Sequence, residues 1–154
     1  MQTKAILCHI KDKERLLLQF KAKGKFGEGR WNGPGGKIKK GETKEQTVER
    51  EVLEETGLLV SDLKYAGKTT FFFPQKGTDI WVVYIYLTES FFGELKHSEE
   101  GELRWFEIES LPYKNMWPDD IYWIPLMLEG KKFDATFWLD EKGEKVLKYQ
   151  NRQV

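Results

Sequence analysis

One segment constrains this chain more than any other. Over residues 43–56 the sequence carries the start and stop signals of an α-helix: Thr43 and Gln46 are spaced as a capping box, and Gly57 is placed to end it. Yet its apolar residues are few, with Val48 and Val52 the inward-facing pair, so the bulk of any core must come from elsewhere. The remaining apolar segments read as strands. Residues 4–10 and 15–20 flank the polar tetrad Lys11-Asp12-Lys13-Glu14 as a hairpin. Residues 65–73, 80–88 and 103–108 are rich in aromatic and β-branched side chains, and residues 133–139 and 145–149 flank a polar turn as a final hairpin. Residues 118–129 suit a second helix: Pro118 fits a first turn, Asp119 and Asp120 favour its positive end, Pro125 can kink it and Gly130 can close it. Residues 21–41, rich in glycine and lysine, read as loops whose backbone can approach a ligand closely. The expected class is α+β, with mostly antiparallel strands and two helices.

Composition narrows the function. The 154 residues are expected to form one domain over 1–154, and 40% hydrophobic with 14% aromatic content argues against disorder. Lys+Arg and Asp+Glu both number 25, so no net field favours nucleic acid or an anionic membrane; a polyanion would have to be gripped locally. The lone Cys8 excludes an intrachain disulfide framework and an all-cysteine metal site. Residues 5–10 are too short, and interrupted by His9, for an export signal, and no segment approaches the ~18 apolar residues of a membrane span. A cytoplasmic monomer with no membrane partner and no stable nucleic-acid partner is expected.

The chemistry lies on the first helix. Glu51, Glu54 and Glu55 are related by i+3 and i+4, so all three leave one face within a turn. Like charges at that spacing repel, the helix dipole disfavours acids near its C-terminal end, and the neighbouring Val48 and Val52 turn that face toward the protein body. A solvated acidic face partly neutralised by Arg50 is the plain alternative. A divalent cation removes the conflict, and clustered oxygens without a Cys/His pattern suit Mg²⁺, or Mn²⁺ in its place, completed by water and substrate phosphates. Cys8 and His9 point to opposite faces of a strand, which speaks against a nucleophile pair, and His97 reads as a surface-loop residue.

The surrounding string decides between the alternatives. Gly36, Glu42 and the run Arg50-Glu51-Val52-Leu53-Glu54-Glu55-Thr56-Gly57-Leu58 match, in identity and spacing, the signature of the Nudix hydrolases. An accidental match of that length is of order one in a million. The resemblance implies an α/β/α sandwich around a central mixed, largely antiparallel β-sheet, with the catalytic helix after a Gly-rich loop. It implies catalytic roles for Arg50, Glu51, Glu54 and Glu55, and a Mg²⁺ held by Glu51, Glu54, Glu55 and the Gly36 backbone. An additional carboxylate from the loop before Trp105 is expected to be Glu100. The reaction implied is hydrolysis of a nucleoside diphosphate linked to another group.

Two further blocks, Phe26-Gly27-Glu28-Gly29-Arg30-Trp31-Asn32-Gly33 and Met116-Trp117-Pro118-Asp119-Asp120-Ile121-Tyr122-Trp123, resemble the animal oxidised-purine nucleoside triphosphatases within that family. By that resemblance Asn32, Asp119 and Asp120 hydrogen-bond a purine, Trp117 stacks on it, and Phe26 and Phe71 line the pocket; Lys21 and Lys23 are candidates for phosphate oxygens. Two adjacent acids can share a proton and so match different base tautomers. The expected substrates are therefore oxidised purine nucleoside triphosphates such as 8-oxo-dGTP or 2-hydroxy-dATP. The rivals are another nucleoside diphosphate derivative (a dinucleoside polyphosphate, a nucleotide sugar or a capped RNA) and a catalytically silent nucleotide sensor. Ala5, Ile6 and Leu7 occupy the first-strand stretch where the animal group carries a pocket threonine, and Pro34 replaces an aromatic residue. The order of preference among modified purines is thereby open.

Overall fold

The computed structural model describes residues 2–73 and 79–153. The first two strands, β1 (Gln2–Asp12) and β2 (Arg15–Lys21), form the expected hairpin, with Lys13 at φ 56° in its turn. Two short strands, β3 (Trp31–Asn32) and β4 (Gly35–Lys37), precede α1 (Lys44–Thr56). Then follow β5 (Leu59–Ser61), β6 (Lys64–Phe72), β7 (Ile80–Thr88), β8 (Ser90–Phe92), β9 (Gly101–Glu107), α2 (Asp120–Leu128), β10 (Phe133–Leu139) and β11 (Val146–Gln153).

Nine of these strands make one sheet, ordered β11-β10-β6-β7-β1-β2-β3 with β4 on β1 and β9 on β2. The β1–β7 and β6–β10 pairs are parallel and the rest antiparallel, so the sheet is mixed and largely antiparallel. One helix covers each face, which gives the expected sandwich. Along β1, Ile6, Cys8 and Ile10 pack under α1 with Val48 and Val52, while Leu7 joins Trp123, Ile124 and Met127 of α2. His9 lies on that α2 side too, with its ring 5.6 Å from the Trp123 ring. Burial on both faces explains why this strand reads as a continuous apolar run.

The helix starts and stops where its sequence dictates. The Gln46 N–H donates to Thr43 Oγ1 at 3.1 Å and the Thr43 N–H to Gln46 Oε1 at 2.9 Å, while Gly57 turns left-handed at φ 83° and donates its N–H to Leu53. Two expectations shift. Residues 21–41 are not loop throughout, because β3 and β4 lie inside them and draw their pairing from β2 and β1 rather than from their own residues. The second helix begins at Asp120 rather than Pro118, and the Asp119 side chain does not cap it. His97 is exposed, in the stretch before β9.

Candidate active site

The capped α1 delivers its acids to a cavity of about 380 Å³ that runs from this helix to α2. Glu51, Glu55, Gly36, Lys21 and Glu100 line one end. Glu55 is buried; its Oε2 accepts from the Gly35 N–H at 3.0 Å, and Lys21 Nζ stands 3.5 Å from its Oε1. Burial pushes this carboxyl up to about 7 against those two stabilising partners, with the negative Glu51 and Glu100 adding to the rise. Burial also raises Glu51, although Arg50 opposes it.

Arg50 acts as a clamp across three acids. Its Nε and Nη2 donate to Glu42 at 2.7 and 2.9 Å, and its Nη1 donates to Glu51 at 2.7 Å and Glu54 at 3.4 Å. The guanidinium holds Glu42 down to about 2. Glu54 is half exposed and does not line the cavity, so Glu51 and Glu55 are the inward pair and Glu54 stands at the rim.

The donor set fits a hard cation. A Cβ on Gly36 would come within 2.5 Å of Glu51 Cδ, so only glycine lets its backbone lie against that carboxylate. One buried and one partly buried carboxylate beside a glycine backbone are oxygen ligands that leave room for water and phosphate. Among the described residues no three acidic, His or Cys side chains come together as a metal-holding group, so water and phosphate oxygens would have to supply the rest of a cation's shell.

The other end is aromatic with a few polar groups. Asn32 accepts the Gly33 N–H through Oδ1 at 2.9 Å, which leaves its amide nitrogen as a donor. Asp119 and Asp120 are buried at the start of α2; Trp123 Nε1 donates to Asp119 Oδ2 at 2.8 Å, while Asp119 Oδ1 and Asp120 Oδ2 have no protein partner. Burial raises both acids, and Asp120 more strongly because the negative Asp119 lies beside it. Two buried acids side by side favour one shared proton between them. Phe26, two-thirds exposed, stacks on Trp81 at 5.2 Å and on Trp117 at 5.4 Å, and the Arg30 guanidinium lies 4.1 Å from the Trp117 ring centroid. Phe71 lines the wall against Phe137.

Of the residues singled out in the sequence, Asn32, Asp119, Asp120, Trp117, Phe26, Phe71, Lys21, Gly36, Glu51, Glu55 and Glu100 line this one cavity. Arg50 touches it through Glu51. Lys23 sits exposed on the loop away from it. Lys21 is engaged with Gln19 and Glu55, and Glu100 with Lys25 at 3.5 Å. Sequence reasoning missed Trp123, Trp81 and Thr69. The i+4 spacing from Asp119 could have found Trp123, and the alternation from Phe71 could have found Thr69.

A NUDIX domain model matches residues 1–127. The chain belongs to the NUDIX family. This Nudix chain is 40% identical over 141 residues to the oxidized purine nucleoside triphosphate hydrolase of Mus musculus, covering 92% of this chain and 88% of that protein. Against the Danio rerio protein of the same name it is 45% identical over 123 residues, covering 80% and 78%. The crystal structure of the MutT protein from Bacillus halodurans superposes with a TM-score of 0.85 over 97% of both chains at 25% identity. Those likenesses make this protein a Nudix hydrolase.

Proposed function

We propose that this Nudix hydrolase cleaves oxidised purine nucleoside triphosphates, of the 8-oxo-dGTP and 2-hydroxy-dATP class, to the monophosphate and pyrophosphate, so that damaged nucleotides are removed before a polymerase uses them. The observation that carries the reading is the single cavity: hard carboxylates at one end, and at the other Asn32, Asp119 and Asp120 among aromatic rings. The animal relatives named above support the same substrate class.

In this reading Glu51, Glu55 and the Gly36 carbonyl hold a Mg²⁺, with Glu54 and Glu100 nearest to complete the set. When bound, that ion neutralises charge on the phosphates. Arg50 keeps the carboxylates in place, and Lys21 shares its charge between Glu55 and the phosphate chain. A water beside the inward acids gives up its proton to a carboxylate as its oxygen bonds to phosphorus, and the P–O bond between the α- and β-phosphates breaks with its electron pair staying on the departing group, which gives monophosphate and pyrophosphate. At the far end Asn32 donates to the base, Asp119 accepts from it, and protonated Asp120 can donate to a ring or carbonyl acceptor.

One domain over 1–154, working as a cytoplasmic monomer, completes the proposal; no helix among the described residues is long and apolar enough to cross a membrane. The test is a panel of 8-oxo-dGTP, 2-hydroxy-dATP, dGTP, dATP, ADP-ribose, a dinucleoside polyphosphate and a capped RNA with Mg²⁺. Preferred release of pyrophosphate from the oxidised purines is expected. Preferred cleavage of ADP-ribose or of a cap would reject the substrate class, and nucleotide binding without any turnover would make the protein a sensor.

A further inference from the structure

The floor of the cavity is built from three adjacent strands. Thr69 on β6 pairs with Val83 on β7, and Val83 pairs with Ala5 on β1. All three line the cavity, so they share one face of the sheet over about 10 Å, two strand spacings. Each is small enough to leave room above it for the edge of a flat ring. Thr69 alone among them carries a polar side-chain atom.

That atom is left without a partner. Thr69 is 1% exposed and its Oγ1 makes no hydrogen bond. Valine would fill the same volume and leave no unsatisfied hydroxyl, so the unpartnered oxygen is a cost. Asp119 Oδ1 and Asp120 Oδ2 are in the same condition, and their residues line the same cavity from the α2 side. Orphaned polar atoms that share one chamber are expected where a ligand satisfies them. A turn about χ1 exchanges the threonine methyl and hydroxyl at nearly constant shape, which brings the oxygen to the ring edge without moving the strand.

We infer that Thr69 is a further specificity-determining residue, whose hydroxyl hydrogen-bonds a polar edge atom of the purine from the sheet side, opposite Asp119 and Asp120. The inference rests on the proposed oxidised-purine reading and deepens it. A hydroxyl both donates and accepts, so it serves a carbonyl edge or an amino edge. It supplies from β6 a polar contact that Ala5 on β1 cannot make.

The experiment compares wild type, Thr69→Val and Thr69→Ser. For each, kcat/KM is measured for 8-oxo-dGTP, 2-hydroxy-dATP, dGTP and dATP, and Tm is measured without nucleotide. Thr69→Val is expected to change the ratio of oxidised to unmodified substrate by about fivefold to tenfold, the range for one neutral hydrogen bond. It is expected to do so with Tm unchanged or raised, because an orphan group has been removed. Thr69→Ser keeps the hydroxyl and should keep the wild-type ratio even if Tm falls. Equal losses on all four substrates, or an unchanged ratio in Thr69→Val, would overturn the inference while leaving the substrate class intact. Wild type that cleaves none of the four would overturn the substrate class, and the role of Thr69 with it.

Discussion

At the scale of single residues, the site depends on how closely groups approach one another. Gly36 lies against Glu51 with no space for a Cβ. Gly36→Ala should therefore push the carboxylate away and lower kcat at least tenfold, with the circular dichroism spectrum retained; near-normal kcat would mean that Glu51 has no fixed place in the reaction. Glu55→Gln keeps shape and removes charge, so turnover should fall by about a hundredfold or more. Thermal melts should show the fold intact, because the wild-type carboxyl is already pushed up to about 7 by burial. At the base end, Asp119→Ala strips Trp123 Nε1 of its acceptor and the ligand of its partner, whereas Asp120→Asn preserves a neutral donor. Product-monophosphate affinity measured by calorimetry should drop more for the first than for the second; the reverse order would place the shared proton on Asp119. Much of this was legible in the sequence, since the spacing of Glu51, Glu54 and Glu55 fixes their common helix face. It did not tell which of them turns inward, because that is set by the contact of α1 with β4 and by the reach of Arg50.

At the scale of elements, both ends of α1 are fixed by local chemistry. Its capping box and its left-handed Gly57 are both formed. Thr43→Ala should cost about 1 kcal/mol of unfolding free energy. Gly57→Ala should cost at least as much, since φ is 83° and a Cβ would meet Lys96 Cγ at 2.8 Å and the Glu94 carbonyl at 2.9 Å. Urea denaturation measures both, and a loss below a few tenths of a kcal/mol in either would show that the helix does not depend on that cap. These ends were readable because capping is local chemistry. The short strands β3, β4, β5 and β8 were not, because two or three residues show no alternation and their pairing is imposed by neighbours distant in sequence. The start of α2 was misplaced for a related reason: Asp119 has the composition of a cap, but its carboxylate is taken by Trp123.

At the scale of the whole molecule, the interior hides titratable groups whose effects on stability run in opposite directions with pH. His9 is fully buried with both ring nitrogens unpartnered, and burial lowers it to about 4. The unfolded chain protonates this residue near its ordinary 6.5 and the folded chain does not, so its contribution is present above that value and is lost as pH falls toward 4. The full loss is on the order of 3 kcal/mol. Glu55, Asp119 and Asp120 slope the other way: raised in the fold, they favour it at acid pH, and Glu55 gives this up as pH rises through about 7. His9→Leu should therefore remove only the acid-labile part. Its urea midpoint, relative to wild type, should rise steadily from pH 6.5 to pH 4; a constant difference would show that His9 is not held neutral.

The ring of Phe26 lying between Trp81 and Trp117 gives the protein an optical gauge at its own doorway. Any flat guest that slides in beside Trp117 has to part or reorder that trio, and two of the three are fluorophores. Emission should then report occupancy directly, without a label and without turnover. Phe26→Ala should leave the signal of the guest in place while moving the ligand-free emission to longer wavelength, because Trp81 and Trp117 lose the ring that screens them from water.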